Sequence, residues 1–132
     1  MSWVRRTMRR VGRIVHEVIQ LPGVHEGPAR ARQFVRDALA DFPEHVIETA
    51  QLLISELVTN AVLHGEPPVK IELEIDPPGV SVSVRDRGEE APVLREPTEG
   101  GEHGRGLHIV GHLADEWGVE SGVDGTCVWF RL

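Results

Sequence analysis

The chain is poor in several residues on which small frameworks rely. It holds one cysteine, Cys127, which excludes an internal disulfide framework and a thiolate zinc cluster and makes a reducing, cytoplasmic setting the default expectation. Its one lysine, Lys70, lies in an alternating run with no glycine loop before it, so a Walker-type phosphate loop is excluded. No uninterrupted apolar run approaches the roughly 18 residues of a membrane span. The arginine-rich start lacks the apolar stretch of about 7–15 residues that a secretory leader requires.

What is present is acidic and uneven. The chain has 132 residues, room for one domain, with 21 acids against 14 bases and a formal charge of −7. Five of the bases (Arg5, Arg6, Arg9, Arg10, Arg13) fall in residues 1–13, which hold no acid, and this leaves 9 bases against 21 acids beyond them, a net of −12. A body so acidic argues against a general grip on nucleic-acid phosphates, which needs clustered bases on the fold. Residues 1–14 are expected to be a flexible, solvated basic tail, with Met8 a second possible start, and residues 15–132 to form the domain.

Residues 15–21 read as an entry strand ended by Pro22-Gly23. Pro28 suits a first helical turn, and apolar residues at 31, 34, 35, 38 and 39 predict an amphipathic helix over 29–39. From 44 to 64, apolar residues at 46, 47, 50, 53, 54, 57, 58, 61 and 62 predict a helix of about six turns, ended by Gly65 and Pro67-Pro68. Residues 69–75 and 80–85 alternate strictly and predict a hairpin of half-buried strands around a Pro-Pro-Gly turn. Residues 86–105 break the rhythm with four glycines, two prolines and nine charges; a segment so long usually serves as a lid or binding loop. A short helix over 106–114 and a hairpin of 117–120 with 126–132 close the chain. Elements grouped in this way give an α+β class, a two-layer sandwich of one mixed or antiparallel sheet with about three helices on one face.

Three constellations bear chemistry. Glu56 and Asn60 lie one turn apart at the border of the apolar stripe (Val46, Ala50, Leu53, Leu57, Ala61), with Glu44, Glu48, Gln51, Ser55 and Thr59 on the wet side. A carboxylate there needs a partner, and with a carboxamide it can share a hard cation or hold a water; the same pair suits a polar fringe that caps nearby backbone. Asp86-Arg87-Gly88 ends a strand, where an Asp can accept a hydrogen bond from an exocyclic amine and a Gly lets a flat ring approach, or where it makes a plain turn. Gly104-Arg105-Gly106 leads into a helix at Leu107, either a phosphate site built on free helix N–H groups or an ordinary hinge. His103, His108 and His112 lack the glutamate of the zinc-protease pattern and an obvious third ligand, so they read as structural or solvent-facing.

Taken in order, Glu56-Leu-Val-Thr-Asn60-Ala61 on a helix, Asp86-x-Gly88 after a strand, Gly104-x-Gly106-Leu107 opening a helix and Gly125-Thr126 before a last strand resemble the motifs of the GHKL ATPase superfamily of gyrase, heat-shock-90, histidine-kinase and mismatch-repair ATPase domains. The resemblance spans residues 15–132. Within the superfamily it is most similar to stand-alone anti-sigma-factor serine kinases of the actinobacterial type, which share the Ser-Glu-Leu-Val-Thr-Asn-Ala-Val-x-His wording of the second helix. It implies ATP and Mg²⁺ as cofactors: Asn60 as the Mg²⁺ ligand, Glu56 as general base, Asp86 on the adenine amino group, Gly88 making room for the ring and Thr126 supporting Asp86 through water. Gly104, Arg105, Gly106 and Leu107 belong to the implied ATP lid, with Arg105 countering phosphoryl charge.

One position departs from the pattern: Glu90 stands where relatives often carry the second glycine of Asp-x-Gly-x-Gly. The chain is too short to include a transducer domain or a two-helix phosphoacceptor module, so a free-standing domain acting on a separate protein is expected. The resemblance then implies a serine/threonine kinase that phosphorylates an anti-anti-sigma (STAS) partner and regulates a sigma factor, without direct contact to nucleic acid or membrane and with homodimerisation common among relatives. The alternative is a non-catalytic, ATP-sensing binding module of the same fold.

Overall fold

The strictly alternating runs become the centre of a six-stranded antiparallel sheet in the computed structural model, which describes residues 5–21, 26–88 and 111–132. The strands are β1 (Arg5–Val11), β2 (Ile14–Leu21), β3 (Val69–Asp76), β4 (Gly79–Asp86), β5 (Glu116–Gly122) and β6 (Gly125–Arg131). Their order in the sheet is β1-β2-β3-β4-β6-β5, so the last strand lies inside the sheet, between β4 and β5. Period-two alternation sends Ile19 and Leu21 of β2, Val69, Ile71, Leu73 and Ile75 of β3, Val80, Val82 and Val84 of β4, and Val128 and Phe130 of β6 to one buried face. The registers Ile19↔Ile71, Ile71↔Val84 and Val84↔Val128 set these side chains in rows across the sheet.

Helices α1 (Gly27–Ala38) and α2 (Glu44–His64) cover that face, and residues 111–113 are helical as well. Pro28 occupies the first turn of α1, as its position in the sequence predicts. The buried stripe of α2 is broad and falls on the apolar positions expected from the sequence, comprising Ile47, Ala50, Leu53, Ile54, Leu57, Val58 and Ala61. It is broad because α2 meets two neighbours, the sheet and α1. Gln51 and Ser55, expected on the wet side, are half-buried against α1, where Gln51 donates to the Arg32 carbonyl (3.1 Å) and Arg32 donates to the Ser55 hydroxyl (2.8 Å). Arg36 adds an exposed pair with Glu44. By length and composition α2 is apolar enough to cross a membrane, yet its apolar face is the domain core.

The basic start differs from expectation. Residues 5–11, read as part of a flexible tail, form the edge strand β1, paired with β2 from Arg5↔Gln20 to Val11↔Ile14. The cause is a tight turn at Gly12-Arg13 and two contacts of Arg6. Arg6 Nε donates to Glu17 Oε1 at 2.9 Å, and its guanidinium lies 5.3 Å from the centre of the Phe34 ring of α1. Glu17 is 3% exposed, and a carboxylate so buried is tolerated because Arg6 pairs with it.

Candidate functional site

The C-terminal end of α2 and the facing ends of β4 and β6 meet around Asp86. This residue is the last of β4 and the alternation turns it inward, where it is 8% exposed. Its Oδ1 accepts a hydrogen bond from Gly88 N at 2.6 Å and a longer one from Glu66 N at 3.4 Å. Among the described residues, none donates to Oδ2. The frame is closed by Arg87 N donating to the Glu66 carbonyl (2.9 Å) and by Thr126 Oγ1 donating to the Gly88 carbonyl (2.7 Å). Thr126 is 2% exposed and stands opposite Asp86 in the β4–β6 register.

Three glycines make this crowding possible. Gly65 ends α2 with φ −95° and ψ −166°, a conformation open to any residue, and its N–H still bonds the Ala61 carbonyl. Its requirement for glycine is therefore spatial: a Cβ at position 65 would fall on the Asp86 carboxylate, 2.5 Å from Oδ2. Gly125 has φ +110°, and a Cβ there would run into the Asp86 carbonyl oxygen. Gly88 is close to the same carboxylate, with a Cβ placed 2.9 Å from Oδ1. Gly65 and Glu66 were not singled out from sequence, because a glycine after a long helix reads first as a helix stop.

Glu56 and Asn60 are both half-buried on α2, one turn apart, on the flank of the stripe formed by Leu53, Leu57 and Ala61. Asn60 precedes Gly65 by five residues, about 7.5 Å along the helix axis. The described geometry thus brings Asp86, Gly88, Gly125 and Thr126 into one cluster and places Glu56 and Asn60 on the helix that leads to it. Gly104, Arg105, Gly106 and Leu107, together with Glu90, His103 and His108, lie outside the described residues. Thr126 bonds the Gly88 carbonyl directly, so its visible role is to hold the segment after Asp86. Cys127, next in β6, is buried, and burial pushes its thiol above the usual range.

The model of the histidine kinase-like ATPase domain matches residues 22–132. The chain belongs to that family. Membership implies a nucleotide-binding domain, and the fold agrees with solved structures. The RsbU and RsbW domains of Rv1364c from Mycobacterium tuberculosis superpose with a TM-score of 0.69 at 24% identity, covering 93% of this chain and 33% of that one. The histidine kinase domain of the blue-light activated EL346 kinase from Erythrobacter litoralis gives 0.51 at 23% identity, covering 85% of this chain and 61% of that one. The histidine kinase-like chain described here therefore spans about a third and three fifths of those two solved chains. No curated protein matches it in sequence.

Proposed function

We propose that the chain binds ATP with Mg²⁺ beside α2 and acts as an anti-sigma-factor-type serine/threonine kinase on an anti-anti-sigma (STAS) partner, and so regulates a sigma factor. One observation carries the nucleotide reading. The Asp86 carboxylate is nearly buried, yet only Oδ1 accepts hydrogen bonds from the described residues. A buried carboxylate oxygen without a donor is costly, and the exocyclic amine of adenine offers such a donor. Gly65 and Gly88 let the carboxylate hold this position, because a Cβ at either would press on it. The donor set fits the group that the family implies.

ATP, when bound, supplies the transferable phosphoryl group, and Mg²⁺ offsets its charge. The chain's own residues take the remaining tasks in this reading. Asp86 fixes the base, with Thr126 holding the Gly88 carbonyl so that the segment after Asp86 keeps its shape. Asn60 presents a carboxamide oxygen, a hard donor suited to Mg²⁺. Glu56, one turn earlier, accepts the proton of the attacking hydroxyl. Gly104, Arg105, Gly106 and Leu107 enclose the phosphates by the resemblance of their sequence. The protein partner follows from the resemblance of the motifs on α2 and around Asp86 to the anti-sigma-factor kinases.

Calorimetry with ATP and Mg²⁺ tests the first half: the native chain binds, and Asp86→Ala loses affinity for ATP. Labelled ATP with a candidate STAS protein tests the second. Transfer of label to a serine or threonine that disappears in Glu56→Ala is the expected result. Tight ATP binding with no transfer to any partner would establish the non-catalytic sensing module instead.

A further inference from the structure

The strand β1 forms one border of the sheet, and its arginines are the least explained feature of the chain. The turn that precedes β2 fixes which way its backbone points. Gly12 has φ 60° while no other residue type has positive φ among the described residues; a two-residue hairpin with glycine first and a negative φ second is a type II′ turn. The flanking Val11 and Ile14 then form the closing hydrogen-bonded pair, and the alternation of the antiparallel ladder commits residues 5, 7, 9 and 11 to β2. The main-chain N–H and C=O groups of Arg6, Met8 and Arg10 are thereby directed to the outer edge. Around this edge Arg9 and Arg10 are exposed, as are Met8 and Val11, at 65% and 68%. Arg6 is occupied by Glu17 and Phe34.

We infer that the β1 edge accepts an extended acidic segment of a partner protein by strand addition. Charge complementarity chooses this occupant. A second copy of the chain is disfavoured, because antiparallel self-pairing centred on Met8 sets Arg6 opposite Arg10, and pairing centred on Arg9 sets the two Arg9 side chains opposite each other. Like charges directly opposite each other are destabilising. A strand with two consecutive acids meets Arg9 on one face and Arg10 on the other, and an apolar residue beside that pair covers Met8. The net −12 of residues 14–132 repels the same partner from the rest of the surface, which confines it to this edge. The edge groups give main-chain hydrogen bonds and the arginines give sequence preference, the division of labour in strand addition.

The test uses the full chain and a fluorescent dodecapeptide of Val-Glu-Glu repeats, whose consecutive glutamates reach both faces, read by anisotropy, with heparin and a charge-reversed Val-Lys-Lys repeat peptide as controls. The acidic peptide is expected to bind and to weaken with added salt. Arg9→Glu with Arg10→Glu is expected to lower its affinity about tenfold or more. Met8→Pro removes one outward N–H without touching the β1–β2 ladder and is expected to abolish binding, with the circular dichroism spectrum and ATP affinity of both variants unchanged. Absence of peptide binding overturns the inference. So does binding that Met8→Pro leaves intact, or heparin binding of equal strength, either of which makes β1 a general polyanion patch. A concentration-dependent dimer of the native chain that Met8→Pro dissolves also overturns it, in favour of a second copy.

Discussion

Asp86 shows how one side chain can set the identities of residues distant in sequence. Its carboxylate excludes a Cβ at positions 65 and 88, and its carbonyl excludes one at 125. Gly65→Ala is therefore expected to displace the carboxylate and weaken ATP binding about tenfold or more, a loss of about 1.4 kcal/mol, measured by calorimetry on a variant that retains its native circular dichroism. Unchanged affinity would sink the assignment of Asp86 to the base. Gly125→Ala meets both a positive φ and a backbone oxygen, so a destabilisation of about 2 kcal/mol or more is expected in urea titration. Asp86, Gly88 and Thr126 are legible in sequence because they carry a recognisable motif order. Gly65 is not, since the reason for it is a side chain 21 positions away, and no local pattern encodes that contact.

Among the elements, α2 is the most legible, because helical periodicity persists through all of it. Gln51 and Ser55 depart from a helical wheel, which separates apolar from polar, because the α1 contact half-buries polar side chains that both bond Arg32. β1 is illegible for a related reason. Its arginines show no inside–outside alternation, and the feature that docks it is the Arg6–Glu17 pair across the hairpin. Arg6→Ala leaves the buried Glu17 carboxylate without its partner and is expected to lower stability by about 2 kcal/mol, read from the urea midpoint. The open face of the sheet supplies a pH dependence. Burial works against ionisation of Glu72, but its hydrogen bonds with Lys70 and His16 prevail and hold the carboxyl below the usual glutamate range. A lowered folded value stabilises above the ordinary range, and this contribution is lost as pH falls through the lower value. The groups are well exposed, so the effect is small, a few tenths of a kcal/mol. Urea titrations of native chain and Glu72→Gln should differ most near neutrality and converge on acidification.

For the molecule as a whole, fold class and the covered face were readable from the grouping and alternation of elements, while sheet order was not. Hairpin signals identify β3–β4 and β5–β6, yet nothing local says that β6 rather than β5 adjoins β4. That choice places Phe130, fully buried, in the middle of the core. Phe130→Ala is expected to lower stability by about 3–5 kcal/mol, a loss that chemical denaturation would register directly. The insertion of β6 beside β4 also separates architecture from spacing. Asp86 and Thr126 face each other through ladder bonds, while 39 residues intervene between them in sequence. Closure entropy rises only with the logarithm of such a span, about 0.6 kcal/mol for each doubling. Homologous chains can therefore lengthen or shorten the stretch that contains Gly104, Arg105 and Gly106, and retune residence time or partner choice, while the register around Asp86 remains intact.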